Sequence, residues 1–123
     1  MKFNKNISSS RRKQRKAHFT ANPSERRIRM SSTLSKELRT KYGFRSFPIR
    51  TNDKVTVIAG KFKNKSGTVV QVRRKDYKVY VDCCEGLRRN GKKKYIGIDA
   101  SNLRIDEFYM EEGRDKIIEK KMN

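Results

Sequence analysis

From Asn52 to Val81 the chain reads NDKVTVIAGKFKNKSGTVVQVRRKDYKVYV. Two runs of apolar–polar alternation flank a lysine-bearing loop that has Gly60 at one end and Gly67 at the other. Side chains alternate across a strand with period two, so Val55 and Val57 share one face of a first strand. By the same rule Val70 and Val72 share one face of a second strand over residues 68–73. Glycine at both loop ends permits positive φ and close approach of the backbone to a partner. Lys61, Lys63 and Lys65 place positive charge at the tip. A small β scaffold that offers a cationic loop to phosphates is the expected result.

Downstream, Arg74-Lys75-Asp76 turns into a third strand, in which Tyr77, Val79, Val81 and Cys83 alternate with Lys78, Tyr80 and Asp82. This places Cys83 on the buried side and Cys84 on the other. Asn90-Gly91 is a strong hairpin signal and joins this strand to one over Lys94–Ile98. Leu103 and Ile105 form a fifth strand after a turn at residues 99–102. Five short strands within residues 51–105 predict a mainly β chain built on a small SH3-like five-stranded barrel. Its core is Val55, Val57, Val70, Val72, Val79, Val81, Ile96, Ile98, Leu103 and Ile105. Residues 106–123 form a charged C-terminal tail that can turn helical around Ile117 and Ile118.

Upstream, residues 1–50 read as a basic N-terminal extension. Ser8-Ser9-Ser10 can cap a short basic helix over 11–18. Asn22-Pro23 breaks it, and Pro23-Ser24 starts another through Arg26, Arg27 and Arg29. Ser32 suits an N-cap for a helix over 33–42, with Leu34, Leu38 and Tyr42 on one face and Glu37 and Lys41 as an i,i+4 pair. Gly43 stands where a helix wants its C′ residue. Residues 45–50 follow as an extended connector, with Pro48 excluding helix. The apolar residues of 1–31 are scattered, so this arm is expected to order on a partner and to be removable without unfolding the barrel.

Composition points to a polyanionic partner. The chain has 33 Lys+Arg against 13 Asp+Glu, a net charge of +20 on 123 residues, and such charge repels itself in a compact state. Residues 1–50 carry net +13, residues 51–105 net +9 and residues 106–123 net −2. Hydrophobic content is 33%, below the roughly 45–50% of ordinary globular domains, so one modest core is affordable. The run Val57–Ala59 is far short of the roughly 20 apolar residues that span a bilayer. The block Arg11–Lys16 is not one face of an amphipathic helix, which argues against an organellar transit peptide. Cys83 and Cys84 are adjacent and the chain has one His, too few donors for a closed tetrahedral zinc site. They read as reduced cytosolic thiols. Neither paired carboxylates nor a nucleophile beside His18 is recognisable. No enzyme activity, cofactor, metal, membrane or small-molecule substrate is expected.

The candidate RNA contacts follow from residue type. Arg11, Arg12, Lys13, Arg15 and Lys16 act as counterion-releasing cations. His18, beside Phe19, can stack on an unpaired base. Arg26, Arg27, Arg29, Arg45 and Arg50 suit bidentate phosphate contacts. Lys61, Lys63 and Lys65 line the loop between Gly60 and Gly67, where Phe62 either wedges against RNA or folds back on the barrel. Arg73, Arg74 and Lys75 crowd the next turn. Arg88, Arg89, Lys92, Lys93 and Lys94 crowd the Asn90-Gly91 hairpin, either touching RNA or guarding an edge against strand pairing.

The loop resembles the KOW motif of ribosomal proteins and transcription elongation factors. The likeness extends further. Arg15-Lys16-Ala17-His18-Phe19, the run from Met30 to Tyr42, and Arg45-Ser46-Phe47-Pro48-Ile49-Arg50 all resemble the eukaryotic large-subunit ribosomal protein of the universal L-twenty-four family, called L-twenty-six in eukaryotes. The resemblance implies binding to the 5′ region of large-subunit rRNA, near the peptide exit tunnel, in subunit assembly and translation. It further implies neighbouring ribosomal proteins as partners, no homo-oligomer, and a cytoplasmic location in ribosomes after nucleolar assembly if the source is eukaryotic. Three departures stand out. Asn64 replaces a common glycine, although Asn tolerates the left-handed backbone; the loop is one residue shorter; and the basic C-terminal tail of many relatives is missing. A KOW-type elongation factor that binds RNA polymerase is the alternative, and it predicts further domains and a less basic chain.

Overall fold

The computed structural model describes residues 3–123 as a mixed helix and strand fold around a six-stranded sheet. The described residues hold four α-helices, α1 (Arg11–Phe19), α2 (Pro23–Arg29), α3 (Lys36–Tyr42) and α4 (Arg114–Met122), and a short 3-10 turn at Ala100–Asn102. The strands are β1 (Ser31–Leu34), β2 (Ser46–Pro48), β3 (Lys54–Val57), β4 (Ser66–Arg73), β5 (Lys78–Val81), β6 (Glu85–Leu87), β7 (Lys93–Tyr95) and β8 (Leu103–Glu107). The main sheet runs β2-β1-β8-β3-β4-β5, and β6 and β7 pair separately as a hairpin.

The five-stranded barrel and the mainly β class are thus corrected. The main sheet has six strands and its outer members β2 and β5 do not pair, so the ladder does not close. The extra strands come from the segment read as a basic extension. β1 pairs antiparallel with β2, Ser32 facing Phe47, and parallel with β8, Leu34 facing Ile105. β8 then pairs with β3, Val55 facing Ile105. The long third strand ends at Val81, and a single bridge links Val79 to Ile98 beyond the hairpin.

Helix starts follow local chemistry. Asn22 caps α2 by accepting from the Glu25 N–H at 2.9 Å, with Pro23 in the first turn, a position that tolerates proline. Ser35, not Ser32, caps α3, and Gly43 ends it at φ +82, as a left-handed C′ residue does. The helix expected over 33–42 therefore begins three residues later. Ser32 is instead buried, its hydroxyl donating to the Ala100 carbonyl at 2.7 Å. α1 forms as expected, though Ser10 caps it without a side-chain bond.

The core gathers Met30, Leu34, Phe47, Ile49, Val55, Val57, Val69, Val79, Val81, Leu103 and Ile105, all nearly inaccessible. Val69 replaces Val70, which is 45% exposed. The cause is a bulge: β4 advances from Val69 to Gln71 while β5 steps only from Val81 to Tyr80. One extra residue on a strand turns every later side chain to the other face. The cysteine assignment is corrected too. Once the strand stops at Val81 the alternation lapses, and Cys84 is buried while Cys83 is half-buried. Burial first, then a hydrogen bond with Cys83, pushes the Cys84 thiol up to about 12.

The tail is fastened by a buried ion pair. Asp53 is fully buried, and its carboxylate accepts from both Arg114 terminal nitrogens and from the Arg50 and Tyr109 N–H groups. Arg114 also donates to the Tyr109 carbonyl and lies 5.0 Å from the Phe108 ring centre and 5.6 Å from that of Phe47. Such a pair is tolerated in a low-dielectric interior because its hydrogen bonds are nearly complete. Ile118 of α4 is buried, and Lys121 donates to the Ser46 carbonyl at 2.7 Å.

Candidate nucleic-acid interface

The first two helices dock on the turn between β4 and β5. His18 stacks on Tyr77, ring centres 3.9 Å apart and planes 19° from parallel. The Tyr77 hydroxyl donates to the His18 carbonyl. Tyr77 itself sits at φ +54, a backbone that a bulky residue adopts only where its surroundings hold it. Arg26 donates to the carbonyls of Phe19, Ala21, Arg74 and Lys75 at 2.6, 2.9, 2.9 and 2.8 Å and lies 4.8 Å from the Tyr77 ring centre. His18 and Arg26, singled out as RNA contacts, thus hold the arm to the sheet. No local pattern marks Arg26 for this role, because two of its acceptors lie 48 and 49 residues away.

That docking leaves α1 with no buried residue. Arg11, Arg12, Lys13, Arg15 and Lys16 are all exposed. Arg15 stands 4.9 Å from the Phe19 ring centre, and Phe19 is 54% exposed. Arg29 reaches His18 Nδ1 at 3.3 Å.

The structure brings together three arginines that sequence separates. Arg50 and Arg74 wall a cleft floored by Ile49, Thr51 and Val72, and Arg27 joins Arg50 along the adjacent cleft beside α4. Burial lowers the Arg74 pKa first, followed by repulsion from Arg50 and then from Arg27. Among the described residues, the carboxylate ion-paired with this group is Glu111, 2.8 Å from Arg50. Three guanidinium groups thus gather around one ion-paired carboxylate, with Glu112 also lining the cleft beside α4. Arg45 is exposed just before β2 and lines neither cleft.

The loop after β3 is ordered by its own backbone. The Lys63, Asn64 and Lys65 N–H groups donate to the Gly60, Val57 and Phe62 carbonyls at 3.2, 2.8 and 3.1 Å. Asn64 takes φ +71 and Gly60 φ +94. Phe62 folds back into the core, with Lys65 5.3 Å and Lys61 5.7 Å from its ring centre. Lys61, Lys63 and Lys65 stay exposed at the tip. Gly67 does not need positive φ, and that expectation is corrected. It needs space: a Cβ there would lie 2.2 Å from Asp82 Oδ1 and 3.0 Å from Cys83 Sγ.

In the next turn Lys75 is exposed. A hydrogen bond with Tyr80, then the charge of Asp76 at 3.2 Å, raises the Arg73 pKa.

Known proteins resemble this chain in sequence. The chain is 48% identical to the large ribosomal subunit protein uL24 of Dictyostelium discoideum, over 98% of this chain and 87% of the relative. It is 43% identical to that of Schizosaccharomyces pombe, over 98% and 96%, and 46% identical to that of Littorina littorea, over 98% and 85%. Residues 8–121 match the family of ribosomal proteins known as L26 in eukaryotes and L24 in archaea, and the chain belongs to that family.

Proposed function

We propose that this chain is a structural, non-catalytic constituent of the large ribosomal subunit that binds large-subunit rRNA. Family membership supports the ribosomal role. The observation that supports RNA contact is the convergence of Arg27, Arg50 and Arg74, with Arg74 depressed by burial and by its like-charged neighbours. Phosphates that enter this cleft remove the mutual repulsion and gain charge-assisted, bidentate hydrogen bonds. The exposed cations of α1 follow a neighbouring groove, and Lys61, Lys63 and Lys65 present a third cationic point. Contacts of this kind neutralise phosphate repulsion where RNA helices converge, which favours the folded RNA and so aids assembly.

In this reading the helices α1 and α2 of residues 1–50 face RNA, β1 and β2 join residues 51–105 in the scaffold, and 106–123 lock it. The 5′ region of the large-subunit rRNA, a place near the exit tunnel, and a cytoplasmic ribosomal location after nucleolar assembly are what the resemblance adds. Neighbouring ribosomal proteins complete the set of partners.

Cosedimentation tests the reading. The tagged chain should comigrate with large subunits at moderate salt and leave them at high salt, as counterion release requires. Comigration with RNA polymerase instead would favour the elongation-factor alternative. Removing residues 1–17 should weaken RNA binding and flatten its salt dependence while the sheet stays folded. The cut must stop short of Met30 and β1, since both are built into the core and sheet.

A further inference from the structure

Strand β4 separates two clefts. Val72, with Arg74 in the turn beyond, lines the arginine cleft described above, whereas Gln71 and Arg73 line another. Adjacent side chains of a strand point to opposite faces, so the two clefts lie on opposite sides of the chain at this point. The second one is bounded by Arg73 and Tyr80 from the β4–β5 ladder and by Arg88, Lys93, Lys94 and Tyr95 from the β6–β7 hairpin.

Its composition differs from the first. It combines four cations with two tyrosines and no carboxylate in its lining. Two of these cations are ion-paired, Arg73 with Asp76 of the β4–β5 turn at 3.2 Å and Lys93 with Glu85 of β6 at 3.8 Å, which leaves Arg88 and Lys94 without an ion pair among the described residues. Lysines alone would suffice to protect the hairpin from strand pairing. That purpose does not call for Tyr95, which stays 43% exposed, in the same groove as the half-buried Tyr80. Cations with accessible aromatic faces are the chemistry that binds unpaired nucleotides, because every base offers a π-face to stack. A duplex hides those faces.

We infer that this hairpin groove is a second nucleic-acid site that takes unpaired RNA by stacking on Tyr80 and Tyr95, opposite the side on which the arginine cleft holds duplex phosphates. The inference rests on the proposed RNA-binding role and adds a substrate class and a place. The protein then joins two RNA elements of different form across a single strand. An acidic protein segment would satisfy the cations but gain nothing particular from the tyrosines.

The test uses the full chain with two probes, a blunt RNA duplex and a short unpaired oligonucleotide of mixed sequence. The chain has 5 Tyr and no Trp, so tyrosine fluorescence reports stacking directly. Oligonucleotide should quench it, and Tyr80→Ala with Tyr95→Ala should lower oligonucleotide affinity about tenfold or more while duplex affinity stays within about twofold. Tyr95→Phe should retain binding, which separates stacking from loss of fold. Arg50→Gln with Arg74→Gln should show the reverse preference. Lys93→Gln with Lys94→Gln, at exposed positions, should weaken oligonucleotide binding and reduce its salt slope even if the tyrosine variants are unstable. The inference is overturned if the tyrosine variants bind oligonucleotide like the parent chain, if duplex and oligonucleotide displace each other completely, or if polyglutamate competes equally well. Binding of duplex without oligonucleotide removes this site alone; binding of neither removes the RNA-binding role as well.

Discussion

Two groups of charge in this chain are handled in opposite ways. Asp53 and Arg114 are buried, and both carboxylate oxygens are bonded from within the protein. Arg27, Arg50 and Arg74 gather nearer the surface, the first two repelling the charge of Arg74, with Glu111 ion-paired to Arg50 among the described residues. The first group has its partners already and stabilises the fold. In the second, burial and like-charged neighbours disfavour the charge on Arg74. A net charge of +20 does not distinguish the two; only their surroundings do.

The sharpest way to break this contrast is at Arg114. Arg114→Ala leaves Asp53 buried without its counter-charge and should cost about 3–5 kcal/mol, read as a lower urea midpoint with an unchanged slope. A midpoint shift near zero would mean that the pair is dispensable. Gly67→Ala comes next. The added methyl pushes Asp82 off the Thr68 N–H, to which it bonds at 2.9 Å, and should cost about 1–3 kcal/mol. Gly60→Ala meets open space but keeps φ +94, so its cost should be smaller, about 1 kcal/mol. If the two glycines behave alike, their separate explanations fail.

The surface cluster should respond in the opposite sense. Arg27→Gln, Arg50→Gln and Arg74→Gln together should leave stability within about 0.5 kcal/mol yet lower the slope of log affinity against log salt by roughly 2. A variant that binds RNA with the parent slope would show that these guanidinium groups touch no phosphate. The smallest effect concerns Cys84. Its pKa is raised by burial to about 12, above the roughly 8.5 of an unfolded thiol, so it favours the fold fully below the unfolded value and loses that favour as pH rises toward 12. At pH near 8 iodoacetamide should label Cys84 only through unfolding, as peptide mass mapping would reveal.

Much of the fold was legible because the signals were local. Alternation placed Val55 and Val57 correctly, Asn90-Gly91 marked a real hairpin with Gly91 at φ +84, and proline and glycine punctuation located α2 and the end of α3. The failures were long-range. β1 is four residues long and is a strand only because residues 46–48 and 104–105 flank it. On its own, the Leu34, Leu38 and Tyr42 spacing reads as helix. The Val70 error came from a bulge that no residue type announces, and the Cys83 error from assuming that a strand runs on past Val81. At the site, residue type identified the cations. It did not reveal that Arg26 would bond four carbonyls, or that Arg27, Arg50 and Arg74 would meet.

The parallel pairing of β1 with β8 sets an order of events during biosynthesis. Thr33 and Leu34 have no partner on that side until Arg104 and Ile105 have been made. The central ladder therefore cannot be completed in step with translation, and nascent chains that end before Leu103 should remain protease-sensitive. Contacts across so long a stretch of chain slow folding, so until Arg104 and Ile105 arrive the strongly cationic N-terminal segment is already exposed to any polyanion nearby.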